Sequence, residues 1–146
     1  MSHVRRQIRE AVVTRLKDIT AVANRVYPYR TIPHTMLPDI TVKTNKDEVD
    51  HEQAVKGDAE FHILTLDVEV RTRVTDDLDD AIDALCVEVE KKMMTDPTFG
   101  GKVKLLQLDG TTIEVSGDAE KSVGLATVTW LAWYRINRTN PEIVTQ

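Results

Sequence analysis

The sequence predicts an α+β fold, a two-layer sandwich in which two main helices cover one face of a mixed or antiparallel sheet. Two segments have the three- and four-residue apolar spacing of amphipathic helices, and several others alternate apolar and polar residues as half-buried strands do. The order helix, two short extended pieces, strand, helix and then a run of strands favours this class. A chain of 146 residues is the size of a single domain with one core.

Both helices are predicted from their apolar spacing. The first covers roughly residues 2–23, and its apolar stripe consists of Val4, Ile8, Ala11, Val12, Leu16 and Ile19. The second begins near Asp76, whose carboxylate suits a helix N-cap, and it ends before Pro97 because proline cannot continue a helix. Cys86, in the same helix, is expected to be a buried thiol. The stripe of the second helix consists of Leu78, Ala81, Ile82, Leu85, Val89 and Met93.

Strands are predicted on both sides of the second helix. Residues 40–44 form a short one, and the clearest alternation of apolar and polar residues runs over 64–74, as in a strand with one buried and one wet face. Asp109-Gly110 is typical of a two-residue hairpin loop that joins two strands. Residues 124–138 form a long final strand.

Residues 46–60 are predicted to form a long charged loop. The segment is rich in acidic residues and poor in apolar ones. Loops of this length are uncommon in small domains, and they are either functional or ordered only on binding. We therefore expect this loop to be a docking element.

The final strand places two tryptophans on opposite faces of the sheet. Trp130 and Trp133 are three residues apart, and side chains at odd spacing in a strand point to opposite sides. We expect Trp130 to lie in the core. Trp133 then needs a second covering surface, either the loop at residues 46–60 or another subunit.

Charge is unevenly distributed along the chain. Residues 1–38 carry seven Lys or Arg and two acids, a net charge of +5, whereas the remainder carries 12 and 22, a net charge of −10. Such a division of charge favours contacts between a basic surface of one copy and an acidic surface of another. The basic cluster of Arg5, Arg6 and Arg9 lacks the interleaved aromatic residues of a nucleic-acid site, so a solvated helix face is the preferred interpretation and no sequence-specific nucleic acid is expected.

The sequence offers no candidate residue for catalysis, for a metal ion or for a cofactor. The four histidines are scattered, the cysteine lacks an activating partner, and no serine elbow or dinucleotide fingerprint is present. Carboxylates at the start of the second helix fan around its axis, which favours a solvated helix turn over a cation site. Because no catalytic residue is found, we expect a non-enzymatic protein. Because the sequence has no apolar run of about 18 residues and no export signal, we expect it in a cytoplasm.

A series of short segments follows one another in an order typical of one protein family. They are Tyr27-Pro28-Tyr29, Leu37-Pro38 before a short strand, Glu48 in a charged stretch, the strand that ends near Arg73, the helix start Asp77-Leu78-Asp79-Asp80-Ala81, Asp96 ahead of Gly100-Gly101, and the strand from Ala126 to Arg135. In this order they resemble the minor tail protein U family, the tail terminators of long-tailed bacteriophages. The resemblance covers most of the chain and includes no catalytic motif.

This resemblance implies an α+β protomer that forms a hexameric ring on the last ring of the tail tube. Such a ring halts polymerisation of the major tail (tube) protein and offers its other face to the head-completion or connector protein. It implies a place in the virion, at the junction of tail and neck, after assembly in the host cytoplasm. No membrane partner and no cofactor are expected.

Two groups of residues are expected to make the contacts of the ring. The subunit interface is expected to contain Leu131 and Trp133, with Arg71 and Arg73 near the seam. The charged loop and the first helix are expected to dock on the tail tube or the neck. The docking residues are Asp47, Glu48, Asp50, His51, Glu52, Arg5, Arg6 and Arg9.

Two other functions are compatible with the same sequence. A head-to-tail adaptor, or neck protein, would share the size and fold class, and it would bind isolated capsids rather than isolated tubes. A small α+β ligand-binding or enzymatic domain would be a monomer or dimer with a saturable small-molecule site.

Overall fold

Two helices pack on one face of a sheet to which the described residues contribute six strands. A computed structural model of the chain describes residues 2–28, 36–51, 59–73, 78–116 and 123–145. The helices are α1 (Val4–Leu16) and α2 (Leu78–Met93), and a short 3-10 turn spans Thr20–Val22. The strands are β1 (Val26–Pro28), β2 (Asp39–Val49), β3 (Ala59–Arg73), β4 (Leu105–Ser116), β5 (Val123–Asn137) and β6 (Asn140–Val144). The predicted α+β two-layer sandwich is confirmed.

The sheet is built around a long antiparallel pair. Its strand order is β1-β2-β3-β5-β4, and β6 pairs with the end of β5. β3 and β5 pair over their whole lengths, from Ala59 opposite Asn137 to Arg73 opposite Val123. β1 runs parallel to β2, and the other neighbours are antiparallel. The sheet is therefore mixed, as predicted.

The alternation predicted for the final strand is present in β5. Every second residue from Ala126 to Ile136 is buried, and Trp130 is only 2% exposed. Trp133 lies on the opposite face and is partly buried. β3 adds four buried apolar residues to the core-side face: Leu64, Leu66, Val68 and Val70. The helices cover this face with their apolar stripes, and Cys86 is buried there as predicted.

The first helix is shorter than predicted. α1 ends at Leu16, and Ile19 takes an extended backbone conformation before the 3-10 turn. Ala23 follows in the left-handed region at φ 47°, which no helix can continue through. This break still buries Ile19 and Val22, so the apolar spacing is satisfied without a continuous helix.

The hairpin predicted at Asp109-Gly110 is wrong. β4 is one continuous strand, and its register against β5 shifts between Leu108 and Gly110. A β-bulge of this kind absorbs one extra residue and keeps the ladder on both sides. Because β5 offers a long continuous edge, a bulged partner forms more ladder hydrogen bonds than a chain that turned back at Gly110.

The prediction of a long loop at residues 46–60 is wrong at both ends of the segment. Residues 46–49 belong to β2 and residues 59–60 belong to β3. β2 and β3 pair antiparallel up to Val49 opposite His62, so strand pairing overrides the polar composition of the segment. Residues 52–58 lie outside the described residues.

β6 was not predicted from the sequence. It pairs with β5 at two positions, Ile136 opposite Val144 and Asn137 opposite Asn140. The Gln7 side chain donates a hydrogen bond of 2.9 Å to the Glu142 carbonyl and thereby ties α1 to this strand.

The start of the second helix near Asp76 lies outside the described residues, whereas its predicted end before Pro97 is confirmed by the end of α2 at Met93. In the part of the chain that the structure describes, no helix has the length and apolar character needed to cross a membrane.

Candidate interaction surfaces

An apolar stripe on β4 is left uncovered by the helices. Leu108, Ile113 and Val115 pair with core-side residues of β5, so they lie on the face that α1 and α2 cover elsewhere. They are nevertheless 44%, 51% and 58% exposed. We call these three residues the β4 stripe. Among the described strands β4 pairs only with β5, so the stripe lies beside an open sheet edge, which is a place where another chain can add.

The outer face of the sheet carries all four residues of the expected subunit interface, but not in one place. Leu131 and Trp133 are partly buried there, and Trp133 lies opposite Ile63 of β3. Arg71 lies eight residues farther along β3 than Ile63, which is about 26 Å at 3.3 Å per residue. The Arg71 guanidinium is 3.6 Å from the Glu69 carboxylate. Exposed Arg73 lies at the same distant end.

A groove surrounds Trp133 at one end of this outer face. It has a volume of about 390 Å³, and Phe61, Lys104, Leu105, Trp133 and Arg135 contribute to its lining. The backbone N–H of Lys104 donates a hydrogen bond of 2.7 Å to the Trp133 carbonyl, which holds the backbone of the lysine against β5. The Arg135 guanidinium lies 5.4 Å from the centre of the Phe61 ring, within the range of a cation–π contact. We call this site the aromatic–cationic groove.

The groove has an electrostatic preference for an anion. Partial burial and the charge of Arg135 lower the pKa of Lys104, because each disfavours a cation at that position. Arg135 Nε is buried and has no hydrogen-bond partner among the described residues. None of the described side chains that line the groove is acidic. A carboxylate brought to this site would therefore find two cationic side chains.

Asp47 lies inside the protein, at the centre of a buried polar cluster. Its Oδ2 accepts hydrogen bonds from the Tyr134 hydroxyl at 2.6 Å and from Arg5 at 2.8 Å. Its Oδ1 is 2.9 Å from Nδ1 of His62, and the other nitrogen of that ring is 2.7 Å from Glu60. The Asp47 side chain is 7% exposed. It joins α1, β2, β3 and β5, so it is a structural residue rather than a surface contact.

The cluster favours the charged forms of Asp47 and His62. Burial alone would lower the pKa of His62, but the hydrogen bonds to Asp47 and Glu60 outweigh burial and raise it. Burial alone would raise the pKa of Asp47, but the hydrogen bonds from His62 and Tyr134 outweigh burial and lower it. Burial and the hydrogen bond to Asp47 raise the pKa of Tyr134, so this hydroxyl stays a donor. The favoured state is an imidazolium paired with the Asp47 carboxylate.

The other predicted docking residues do not form one patch. Arg6 pairs with Glu10 at 2.9 Å along α1, Arg9 donates to the Thr44 hydroxyl at 3.0 Å, and Glu48 pairs with Lys46. The backbone N–H of Asp50 donates to the Phe61 carbonyl at 2.8 Å, and His51 is exposed. Glu52 lies outside the described residues. The basic cluster of the first helix is therefore partly neutralised by contacts within the protomer.

The described residues include no group of three or more His, Cys, Asp or Glu side chains placed to hold a metal ion. Both ring nitrogens of His62 are engaged by carboxylates, which leaves no lone pair for a ligand. The Cys86 thiol is buried, and burial together with Glu90 and Asp83 raises its pKa. A thiol in such surroundings is a poor nucleophile.

Comparison with family models and with curated proteins finds no match to this chain.

Sequence reasoning missed the polar cluster because of a single bulge. The register of β2 against β3 shifts between Thr44 and Lys46, so the side of the sheet occupied by even-numbered residues changes there. Ile40 and Val42 face the core before the bulge, and Asp47 faces it afterwards, opposite Leu64. His62 could have been found, because it continues the buried series of Leu64 and Leu66 by one step of two residues.

Proposed function

We propose that this protein is a phage tail terminator, a structural ring protein rather than an enzyme. Copies of the chain close into a ring, hexameric as the resemblance implies, that caps the tail tube and offers its opposite face to the connector of the head. Its place is the junction of tail and neck in the virion, and it assembles in the host cytoplasm. The proposal takes its biological setting from the resemblance to the minor tail protein U family.

The β4 stripe is the observation that best supports assembly. Three large apolar side chains lie on the core-side face of an edge strand and are about half exposed or more. Complete burial of such a side chain from water is worth roughly 1.5–3 kcal/mol, so covering the half that is still exposed would stabilise the assembly by about 1 kcal/mol for each residue. The partly buried Trp133 and Leu131 on the outer face add a second apolar surface that another subunit could cover.

A charge placed on the β4 stripe tests the assembly step. We expect Ile113→Glu to convert the ring to monomers in light scattering, because a carboxylate in a buried subunit contact is unpaired. Thr112→Glu is the matched control, since Thr112 is exposed and faces the other side of the same strand. Equal mass for wild type and Ile113→Glu, both folded by circular dichroism, would show that the stripe is no interface.

Binding to isolated virion parts tests the capping step. The terminator proposal predicts that the purified ring binds tubes of the cognate tail-tube protein, seen by electron microscopy at one tube end. Binding to isolated heads without binding to tubes would contradict it and would instead identify a neck adaptor. A monomer that binds neither tubes nor heads would contradict the proposal.

A further inference from the structure

The aromatic–cationic groove and the outward face of α2 have complementary chemistry on opposite sides of the protomer. The groove opens on the outer face of the sheet, because Phe61 pairs with Arg135 and Trp133 pairs with Leu105 on that side. α2 packs on the core-side face, against β3 and β5. The two surfaces therefore cannot meet within one chain.

The outward face of α2 combines carboxylates with an exposed apolar side chain. Val87 is 45% exposed, and Asp83 and Asp80 precede it by four and seven residues, which places them on the same side of the helix. Asp80, Asp83 and Ala84 are exposed. We call Asp80, Asp83, Ala84 and Val87 the acidic stripe.

We propose that the aromatic–cationic groove of one copy receives the acidic stripe of a second copy, and that this contact is one part of the repeating interface of the ring, of which the β4 stripe is another. Asp80 and Asp83 would lie against Lys104 and Arg135. Val87 would pack on Trp133, Phe61 and Leu105. The inference rests on the proposed function and adds to it a pair of complementary surfaces.

The placement of the two surfaces favours a head-to-tail contact over a two-fold dimer. A two-fold dimer uses the same patch on both subunits, whereas two different patches on opposite sides make a head-to-tail contact, which gives a ring where the rotation between copies closes. The contact also matches opposite charges. Both surfaces belong to the same chain, so one kind of subunit is sufficient.

A second copy suits the groove better than a nucleic acid does. Aromatic rings beside cations can also stack a base against a phosphate. The chain, however, has a net charge of −5, which opposes a polyanion over the whole molecule. A helix with two carboxylates followed by one apolar side chain supplies the same local charge and brings an apolar group for the rings.

Reversal of the charges provides a sharp test. Variant one is Lys104→Glu, and variant two is Asp80→Lys with Asp83→Lys. Alone, each variant brings like charges together at every interface, so we expect the concentration for half-maximal ring assembly to rise at least tenfold. In an equal mixture, each groove meets an oppositely charged stripe on the other variant, so we expect rings to return. Mass is measured by light scattering and ring shape by negative-stain electron microscopy.

The controls separate folding from assembly. Lys17→Glu reverses an exposed charge on neither surface, and it should assemble like the wild type. Circular dichroism melting must show that each variant folds. If Lys104→Glu does not fold, Leu105→Asp replaces it, because Leu105 is 50% exposed; this variant should lose assembly alone, since its carboxylate would lie against Asp80, Asp83 and the apolar Val87.

Each outcome decides between the inference and the function on which it rests. Rings that persist in both variants, or that are lost and do not return on mixing, overturn this pairing of surfaces while wild-type tube capping leaves the terminator proposal intact. Binding of a fluorescent single-stranded DNA by the wild type that Lys104→Glu abolishes, with rings unchanged, also overturns it. A wild type that is monomeric and caps no tubes removes both proposals.

Discussion

At the scale of single residues, Asp47 joins the two layers of the sandwich through charge and hydrogen bonds. One carboxylate accepts from Arg5 and Tyr134 and lies against His62. Removal of one partner from such a network leaves the others buried and unpaired, which costs more than the lost bond itself. Stability should therefore depend on the protonation of His62.

We expect the stabilising effect of His62 to fade as the pH rises. The pKa of His62 is raised on folding above its ordinary value of 6.5, so its contribution is complete below that value and is lost as the pH rises through the folded pKa. The pKa of Asp47 is lowered below 3.8, so its contribution is complete above that value and is lost as the pH falls through the folded pKa.

Urea unfolding of the His62→Gln variant measures this effect. At about pH 5.5 the variant should be less stable than the wild type by about 1.5–3 kcal/mol, as for a lost charged hydrogen bond, and at about pH 8.5 the gap should be smaller. His51→Gln, at an exposed histidine, is the control and should show no gap at either pH. A gap that widens with pH would contradict this assignment of charge.

At the scale of elements, Arg15 fixes α1 to the end of α2 and the turn that follows. Its guanidinium donates to the carbonyls of Met93 at 3.1 Å and Asp96 at 2.5 Å. It also lies 3.8 Å from the centre of the Phe99 ring. The Asp96 carboxylate in turn accepts from the backbone N–H groups of Thr98 and Gly100. One side chain therefore sets the position of both helices.

Replacement of Arg15 should destabilise the protein more than replacement of a surface arginine. We expect Arg15→Leu to lower the free energy of unfolding by about 2–3 kcal/mol, because two carbonyls lose their donor and a ring loses its cation. Arg6→Leu, which breaks only the exposed pair with Glu10, should cost less than about 1 kcal/mol. Equal effects of the two substitutions in urea unfolding would show that Arg15 does not hold the helices together.

The elements show which parts of the fold a sequence pattern can reveal. Periodicity revealed α1, α2, β3 and β5, because burial of an apolar face dominates their residue choice. It failed at Gly110 and at Thr44, where a bulge changes register without a distinctive composition. It also failed for β6, which is short and depends on the edge of β5. The groove escaped detection because its residues come from three separate strands.

At the scale of the whole molecule, the protomer has surfaces that its own described residues do not cover. Its core is complete on the helix side of β3 and β5. The β4 stripe and the aromatic–cationic groove remain open among the described residues. Assembly through these surfaces would give a ring its two unlike faces, which is what a protein between a tail tube and a head connector requires.

The length of tail tubes tests this account most directly. Tubes of the cognate tail-tube protein, polymerised with and without the purified protein, can be measured by negative-stain electron microscopy. Added protein is expected to form a ring at one tube end and to stop further growth when more tube subunits are supplied. The Ile113→Glu variant should do neither. Tubes that keep growing in the presence of the wild-type protein, with no ring at their ends, would contradict the account.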